Sequence, residues 1–460
     1  MRMFKIIAAA VVGNALEVYD MVVYGFLATI IAANFFPREA KITGLISTFA
    51  IFLIGYLSRP LGALIFGIMG DRIGRKPVLR ITILLMAFST FSIGLLPNYA
   101  ILGVWAPILL VIIRILQGCS IGSELIGATI FVVEHAPKTK RAFYGSFANA
   151  GQSTGLLLAA LVIWLLHCSF SDATIAQWAW RLPFFLAAVG GLIGQQIRRH
   201  TSETPLFLET YRLPSTYFTV WRDYAKQLRA ASTIVGFSVF GTMIPYLIYV
   251  FSSVYMSTML HYTQQQALGI VTLSIILLVF LQPFIGKLSD RVGRRPVMAA
   301  GLIGAMLWIW PYFWLLQQRV VILGLIAQSI MTIFITAYGT YLVTMIELIP
   351  IQMRFRIVSL TYAITASLFG GITLLAATIL FKTTHSSVSL VIFLLVCALI
   401  SLFAVYKVRE TKPKTTEQSL AEDIRQIARN MLANGDSVEK VAAVTALPKD
   451  EVAALQGQQH

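Results

Sequence analysis

From Ile6 to Lys407 the chain is a succession of apolar stretches, each near the length that crosses a bilayer. A helix needs about 20 apolar residues to span a hydrocarbon core of ~30 Å. Inside that core a chain must satisfy its own backbone hydrogen bonds, which leaves helices and closed barrels. Stretches this long and continuous read as helices, and twelve of them fit, at 6–33, 44–69, 77–96, 102–134, 142–166, 180–197, 230–259, 266–289, 296–315, 320–347, 357–381 and 388–407. The expected fold is an all-α membrane protein of twelve transmembrane helices. The first stretch is too long for the apolar region of a signal peptide and counts as a span. Charged residues make up 12% of the chain, against roughly 25% in a soluble domain.

The net charge of +16 raises the possibility of nucleic acid, but Lys and Arg sit in short clusters between spans. The connections after odd-numbered spans hold few bases, among them Arg38, Arg181 and Arg319. Those after even-numbered spans hold Arg72, Arg75, Lys76, Lys138, Lys140, Arg141, Lys287, Arg291, Arg294, Arg295, Arg354 and Arg356. By the positive-inside rule both termini face the cytoplasm, which an even number of spans requires. A bacterial inner membrane is the expected location, with the lipid bilayer and a small-molecule substrate as partners, no nucleic acid, and a functional monomer. Cys119, Cys168 and Cys397 are far apart and form neither a metal spacing nor a disulfide framework.

The polar, basic stretch 198–229 divides the spans into two groups of six. Two motifs recur across it. Gly67 to Lys76 reads GIMGDRIGRK and Gly286 to Arg295 reads GKLSDRVGRR, each after the second span of its half. Glu134 to Arg141 reads EHAPKTKR and Glu347 to Arg354 reads ELIPIQMR, each ending a fourth span. This is the mark of parallel repeats in a two-lobed transporter. The expected domains are an N-terminal lobe at 1–197, a cytoplasmic linker at 198–229, a C-terminal lobe at 230–410 and a polar tail at 411–460. The tail's expected helices are 419–433, 437–445 and 449–455.

Charge inside a span is costly and marks function by default. The first half carries Glu17, Asp20, Arg59, Arg114 and Glu124, and spans 7–12 carry essentially none. At about 1.5 Å of rise per residue, Asp20 lies about 22 Å along span 1 from Lys5, and Arg114 about 30 Å along span 4 from Glu134. These depths let Arg114 pair with Asp20 or Glu17. A carboxylate held by a guanidinium stays ionised, and one separated from it takes up a proton. That gives a proton switch with Asp20, Glu17, Arg114 and Glu124 as its parts; the alternative is a static structural ion pair. No cofactor is expected, the proton being the coupling ion. Arg59, near mid-membrane, either forks onto a ligand carboxylate or ties helices together. Arg59, Tyr19, Tyr24, Gln117 and Tyr246 are the candidate substrate residues. Gly67, Asp71, Arg72, Gly74, Arg75, Glu134, Arg141, Asp290, Arg291, Arg294, Glu347 and Arg354 are candidates for a cytoplasmic gate, with Arg72 and Arg75 expected to bridge to Glu134. No nucleophile, base and orienting group come together as an enzyme site.

The two G-x-x-x-D-R-x-G-R-[KR] loops resemble the cytoplasmic signature of the major facilitator superfamily. Arg114 to Gly122 (RILQGCSIG) resembles its fourth-span motif, which the superfamily links to proton coupling. GNALEVYDMVVYG from Gly13, WRLPFF from Trp180, ETPLF from Glu203 and QPFIGKLSDRVGRRP from Gln282 are similar to the metabolite:proton symporters, the family of osmolyte, citrate, ketoglutarate, dicarboxylate and shikimate permeases. The resemblance covers about 5–408 and implies two six-helix lobes and symport by alternating access. Val18 stands where that family has Trp, and Tyr362-Ala363-Ile364 where it has Tyr-Asn-Ile. Span 5 reads NAGQSTG from Asn149 and lacks the Pro of the superfamily's antiporters, which favours symport over efflux. The expected substrate is a small carboxylate-bearing metabolite. The alternatives are a zwitterionic osmolyte, which needs an aromatic cage for its cation from tyrosines such as Tyr19, Tyr24, Tyr246 and Tyr249, and a transporter-like sensor.

Overall fold

The computed structural model describes residues 2–37, 41–73, 75–121, 124–199, 225 and 227–411, and in the tail 424, 427–428, 431–432, 437–445, 447–450 and 452. The side chains of Gly67, Asp71, Arg72, Arg75 and Glu124, and all of Gly74, lie outside the described residues, so the first gate loop and the Glu124 carboxylate have no structural account.

Each of the twelve expected spans is a helix or a run of consecutive helices. They are α1 (Arg2–Phe26, then Ala28–Phe35), α2 (Lys41–Leu57, then Arg59–Ile73), α3 (Arg75–Leu95), α4 (Trp105–Ser120, then Glu124–His135), α5 (Arg141–Ser169), α6 (Leu182–Arg199), α7 (Leu228–Pro245, Tyr246–Phe251, Ser252–Thr258), α8 (Gln264–Val292), α9 (Arg294–Gln317), α10 (Val321–Tyr338, then Tyr341–Glu347), α11 (Ile351–Thr365, Ala366–Gly370, Gly371–Thr384) and α12 (Val388–Lys407). Among the described residues nine helices are long and apolar enough to cross a membrane, and shorter apolar helices run at Arg80–Leu95, Trp105–Ser120 and Ile126–His135. Large apolar side chains crowd the outer surface: Leu307 is 74% exposed, and Phe280 and Phe284 are each 68% exposed. In water such faces would aggregate; in lipid they are solvated.

Helix ends follow local chemistry. Thr263 begins α8 with a capping box, its hydroxyl accepting from the Gln266 N–H while the Gln266 side chain accepts from the Thr263 N–H. Pro245 lacks an N–H, and directly after it α7 widens into a π-helical turn at Tyr246–Phe251; α11 widens likewise at Ala366–Gly370. Such turns recur at functional sites, and these two border the central cavity.

The halves meet along several seams, among them α5 with α8, α2 with α11 and α1 with α7. Helix α5 runs against α8, with Gly286 fitting over the Ala142 carbonyl and Ser146, and Gly269 beside Trp164. On α2, Tyr56 packs on Gly371 of α11, whose Ser367 hydroxyl donates to the Tyr56 carbonyl at 2.7 Å. Gly25 of α1 lies under Val250 of α7. Residues 1–136 and 140–411 form one compact unit, and 137–139 with 412–460 a second. Within the second unit Ala428, Leu432, Val441 and Val452 form a small core of their own, and Val438–Thr445 is helical as expected. The other two expected tail helices fall largely outside the described residues.

Candidate functional site

A cavity of about 110 Å³ lies between the halves, lined from α1, α2, α5, α7, α8, α10 and α11. Its charged wall is Arg59, whose guanidinium carbon sits 3.9 Å from the centroid of the Tyr56 ring. That contact follows from the sequence, because Tyr56 and Arg59 are three apart on one helical run. The Tyr56 hydroxyl donates to the Tyr246 hydroxyl across the seam. Tyr338, Tyr341 and Tyr362 also line the cavity, with Tyr338 and Tyr341 stacked at 5.3 Å between centroids. Gly241 makes room for Tyr341: a Cβ there would lie 2.5 Å from its ring. Arg59 Nε, Gln152 Nε2 and Gln282 Oε1 are buried without a hydrogen-bond partner. The cavity thus combines one cation, several π-faces and spare hydrogen-bonding capacity.

Of the five substrate candidates, Arg59 and Tyr246 line this cavity. The other three are engaged inside the first half. Tyr19 donates to the Pro183 carbonyl at 2.8 Å and Tyr24 to the Thr48 carbonyl at 3.1 Å. The Gln117 amide donates to the Asp20 carbonyl at 2.9 Å and to the Thr90 hydroxyl at 2.7 Å. Sequence reading missed Tyr56, Tyr338, Tyr341, Tyr362, Gln152 and Gln282. The spacing of Tyr56 with Arg59, and of Tyr338 with Tyr341, was the available signal.

Of the four candidate proton residues, Glu17, Asp20 and Arg114 are described. Glu17 and Asp20 are each 3% exposed and Arg114 is fully buried. In this conformation Arg114 is not ion-paired with either acid. One of its Nη atoms donates to Gln117 Oε1, the other lies 3.8 Å from the Met21 sulfur, and its guanidinium carbon sits 4.4 Å from the Tyr24 ring centroid. Glu17 instead lies within electrostatic reach of Arg59. Helix α4 comes this close to α2 because both carry glycine at the crossing. A Cβ at Gly118 would fall 1.9 Å from the Gly55 carbonyl oxygen, and one at Gly62 1.8 Å from that of Cys119.

At the end of the bundle where α5 and α9 begin, the described gate candidates link within the second half and, at Asp290 and Glu134, across the halves. Asp290 accepts from the Ala142 and Phe143 N–H groups at 3.0 and 2.8 Å, so an α8 carboxylate caps the start of α5. Arg294 bonds Asp290 at 2.8 Å and Glu347 at 3.2 Å. Glu134 pairs with Arg354 of the second half at 3.0 Å, while the side chains of Arg72 and Arg75, its expected partners, lie outside the described residues. Arg291 is exposed, and Arg141 is half-buried with its Nε lacking a hydrogen bond.

Comparison with known proteins agrees with this geometry. The family model described as Major Facilitator Superfamily matches residues 11–368. The "Proline/betaine transporter" of Escherichia coli (strain K12) is 32% identical over 452 residues, covering 95% of this chain and 90% of that one. The "Glycine betaine/proline/ectoine/pipecolic acid transporter OusA" of Dickeya dadantii (strain 3937) is 32% identical over 458 residues, covering 96% and 91%. Among solved structures, one described as a D-xylose-proton symporter superposes with a TM-score of 0.72 at 18% identity, over 90% of this chain and 100% of the other, a likeness of fold.

Proposed function

Because the chain belongs to the major facilitator superfamily, an integral membrane family of transporters rather than enzymes, we propose that it is a proton-coupled symporter of small zwitterionic osmolytes of the proline and betaine type. The observation that carries this reading is Arg59 set among tyrosines in the cavity between the halves. A guanidinium takes a carboxylate in a fork, and tyrosine faces take an ammonium, methylated or not. A zwitterion presents both groups within a few ångströms. Among the described residues lining the cavity Arg59 is the one cationic side chain, which suits a single carboxylate better than the two or three of a dicarboxylate or citrate. The names of the relatives point the same way. The organic-acid reading of the sequence therefore yields to its osmolyte alternative.

In this reading substrate binds between the halves, and the cross-half links at Asp290 and Glu134 close one side and break when that side opens. The basic loops support that side, with both termini, being the cytoplasmic face of a bacterial inner membrane. Asp20 or Glu17 carries the proton. Arg114, bonded to Gln117 here, becomes the partner of the ionised acid in another state of the cycle. A thermal-shift screen of purified protein against proline, glycine betaine, citrate and shikimate tests the substrate class. A ligand at 100-fold over its Kd adds about 2.7 kcal/mol. Stabilisation by proline or betaine is expected, and stabilisation by citrate or shikimate alone overturns the reading.

A further inference from the structure

The seam between α5 and α8 carries a polar feature that the carboxylate and the aromatic faces do not explain. Gln282 of α8 donates from Nε2 to the Ser153 hydroxyl of α5 at 2.9 Å, which fixes the amide across the two halves. The residue is 5% exposed, it lines the cavity, and its Oε1 has no hydrogen-bond partner. Leaving such an acceptor unmet is costly, and the proline ring of Pro283 next to it supplies no N–H. On α5, Gln152 adds a buried Nε2 donor without a partner.

We propose that Gln282 Oε1 is a subsite for an N–H group of the substrate, so that the cavity distinguishes zwitterions by whether their nitrogen carries hydrogen. The proposal rests on the zwitterion reading above. Arg59 and the Gln152 donor serve the carboxylate, which every such substrate shares. The tyrosine faces respond to positive charge and accept an ammonium whatever its methylation. An amide oxygen is different, because it gains a bond only from a nitrogen that donates. A secondary ammonium donates an N–H to Oε1. A fully methylated nitrogen leaves Oε1 unmet and pays that desolvation with no return. Because Ser153 orients the amide from the opposite half, the subsite is complete only while α5 and α8 are in contact.

The test uses the full-length protein in proteoliposomes and reads KM and Vmax for proline and glycine betaine. Gln282→Met keeps an unbranched side chain of similar length and removes the acceptor. It is expected to raise the proline KM about tenfold, the scale of one hydrogen bond to a charged donor, while the betaine KM stays the same or falls, since no acceptor is left to desolvate. Gln152→Met is expected to raise both together. A parallel shift of both substrates in Gln282→Met overturns the proposal. The unmodified protein gives a second arm that does not depend on the variant folding: competition by proline, N-methylproline and N,N-dimethylproline. Affinity is expected to fall at the last step, where the final N–H is lost, and equal affinity across the series overturns the proposal. If the unmodified protein binds none of these compounds, the zwitterion reading itself fails, an outcome distinct from either result.

Discussion

The interiors of the two halves solve the same packing problem with opposite chemistry. The first buries Glu17, Asp20 and Arg114 around Gln117, Thr90 and the Tyr24 ring. In the second, the described buried polar side chains are neutral apart from Asp290, Arg294, Glu347 and Arg354, which belong to the gate links. There Tyr249 meets Thr332 at 3.0 Å, and Tyr312 bonds Ser252 at 2.7 Å and Gln328 at 2.9 Å, with the Gln328 amide donating onward to the Ile248 carbonyl. A hydroxyl network of this kind is satisfied in place and has no ionisation to change. A cluster of buried acids and a guanidinium has several arrangements of proton and partner. The proposed function accordingly puts coupling in the first half, with the second as a neutral framework beside the cavity.

Substitutions break or sharpen that contrast. The largest effect is expected from Asp20→Asn and Glu17→Gln: one of them abolishes uptake driven by a pH gradient while sparing substrate exchange, which moves no net proton. Measuring both activities in each variant separates this from a structural role, which lowers the two together. Next comes Arg59→Lys, which keeps the charge but loses the planar fork. A rise in KM of about tenfold is expected, and an unchanged KM assigns Arg59 to helix packing. Asp290→Asn removes an anion from the start of α5, worth about 0.3–1 kcal/mol and up to ~2 in buried settings. A several-fold change in transport rate with folding retained is expected, read in proteoliposomes, and an unchanged rate removes the loop from gating. The smallest effect is expected from Tyr312→Phe. Losing its hydrogen bonds should cost about 1 kcal/mol of stability, seen as a lower melting temperature, and leave coupling untouched. A loss of pH-driven uptake in that variant erases the contrast between the halves.

The twelve spans were legible in the sequence because bilayer thickness and backbone hydrogen bonding leave little freedom. Helix rise also put Arg114 and Asp20 at matching depth. What it did not give was rotation about the helix: Gln117, three residues on, shares the Arg114 face and takes the guanidinium in this conformation. Glu134 and Arg354 are 220 residues apart, and nothing local marks them as partners across the halves. The cavity tyrosines were hidden for another reason. Tyr19 and Tyr24 look no different in sequence from Tyr246 and Tyr341, yet the first two spend their hydroxyls on carbonyls within the first half. Arg59 was legible because a guanidinium near mid-membrane demands an explanation.

The most direct test of the account follows protons and substrate together. Purified protein is reconstituted in de-energised liposomes with a pH-sensitive dye outside, and proline or glycine betaine is added to the medium. The account predicts that the outside becomes alkaline as substrate enters, that a protonophore abolishes the signal, and that Asp20→Asn or Glu17→Gln abolishes it too while exchange continues. Entry of substrate with no movement of protons would contradict it.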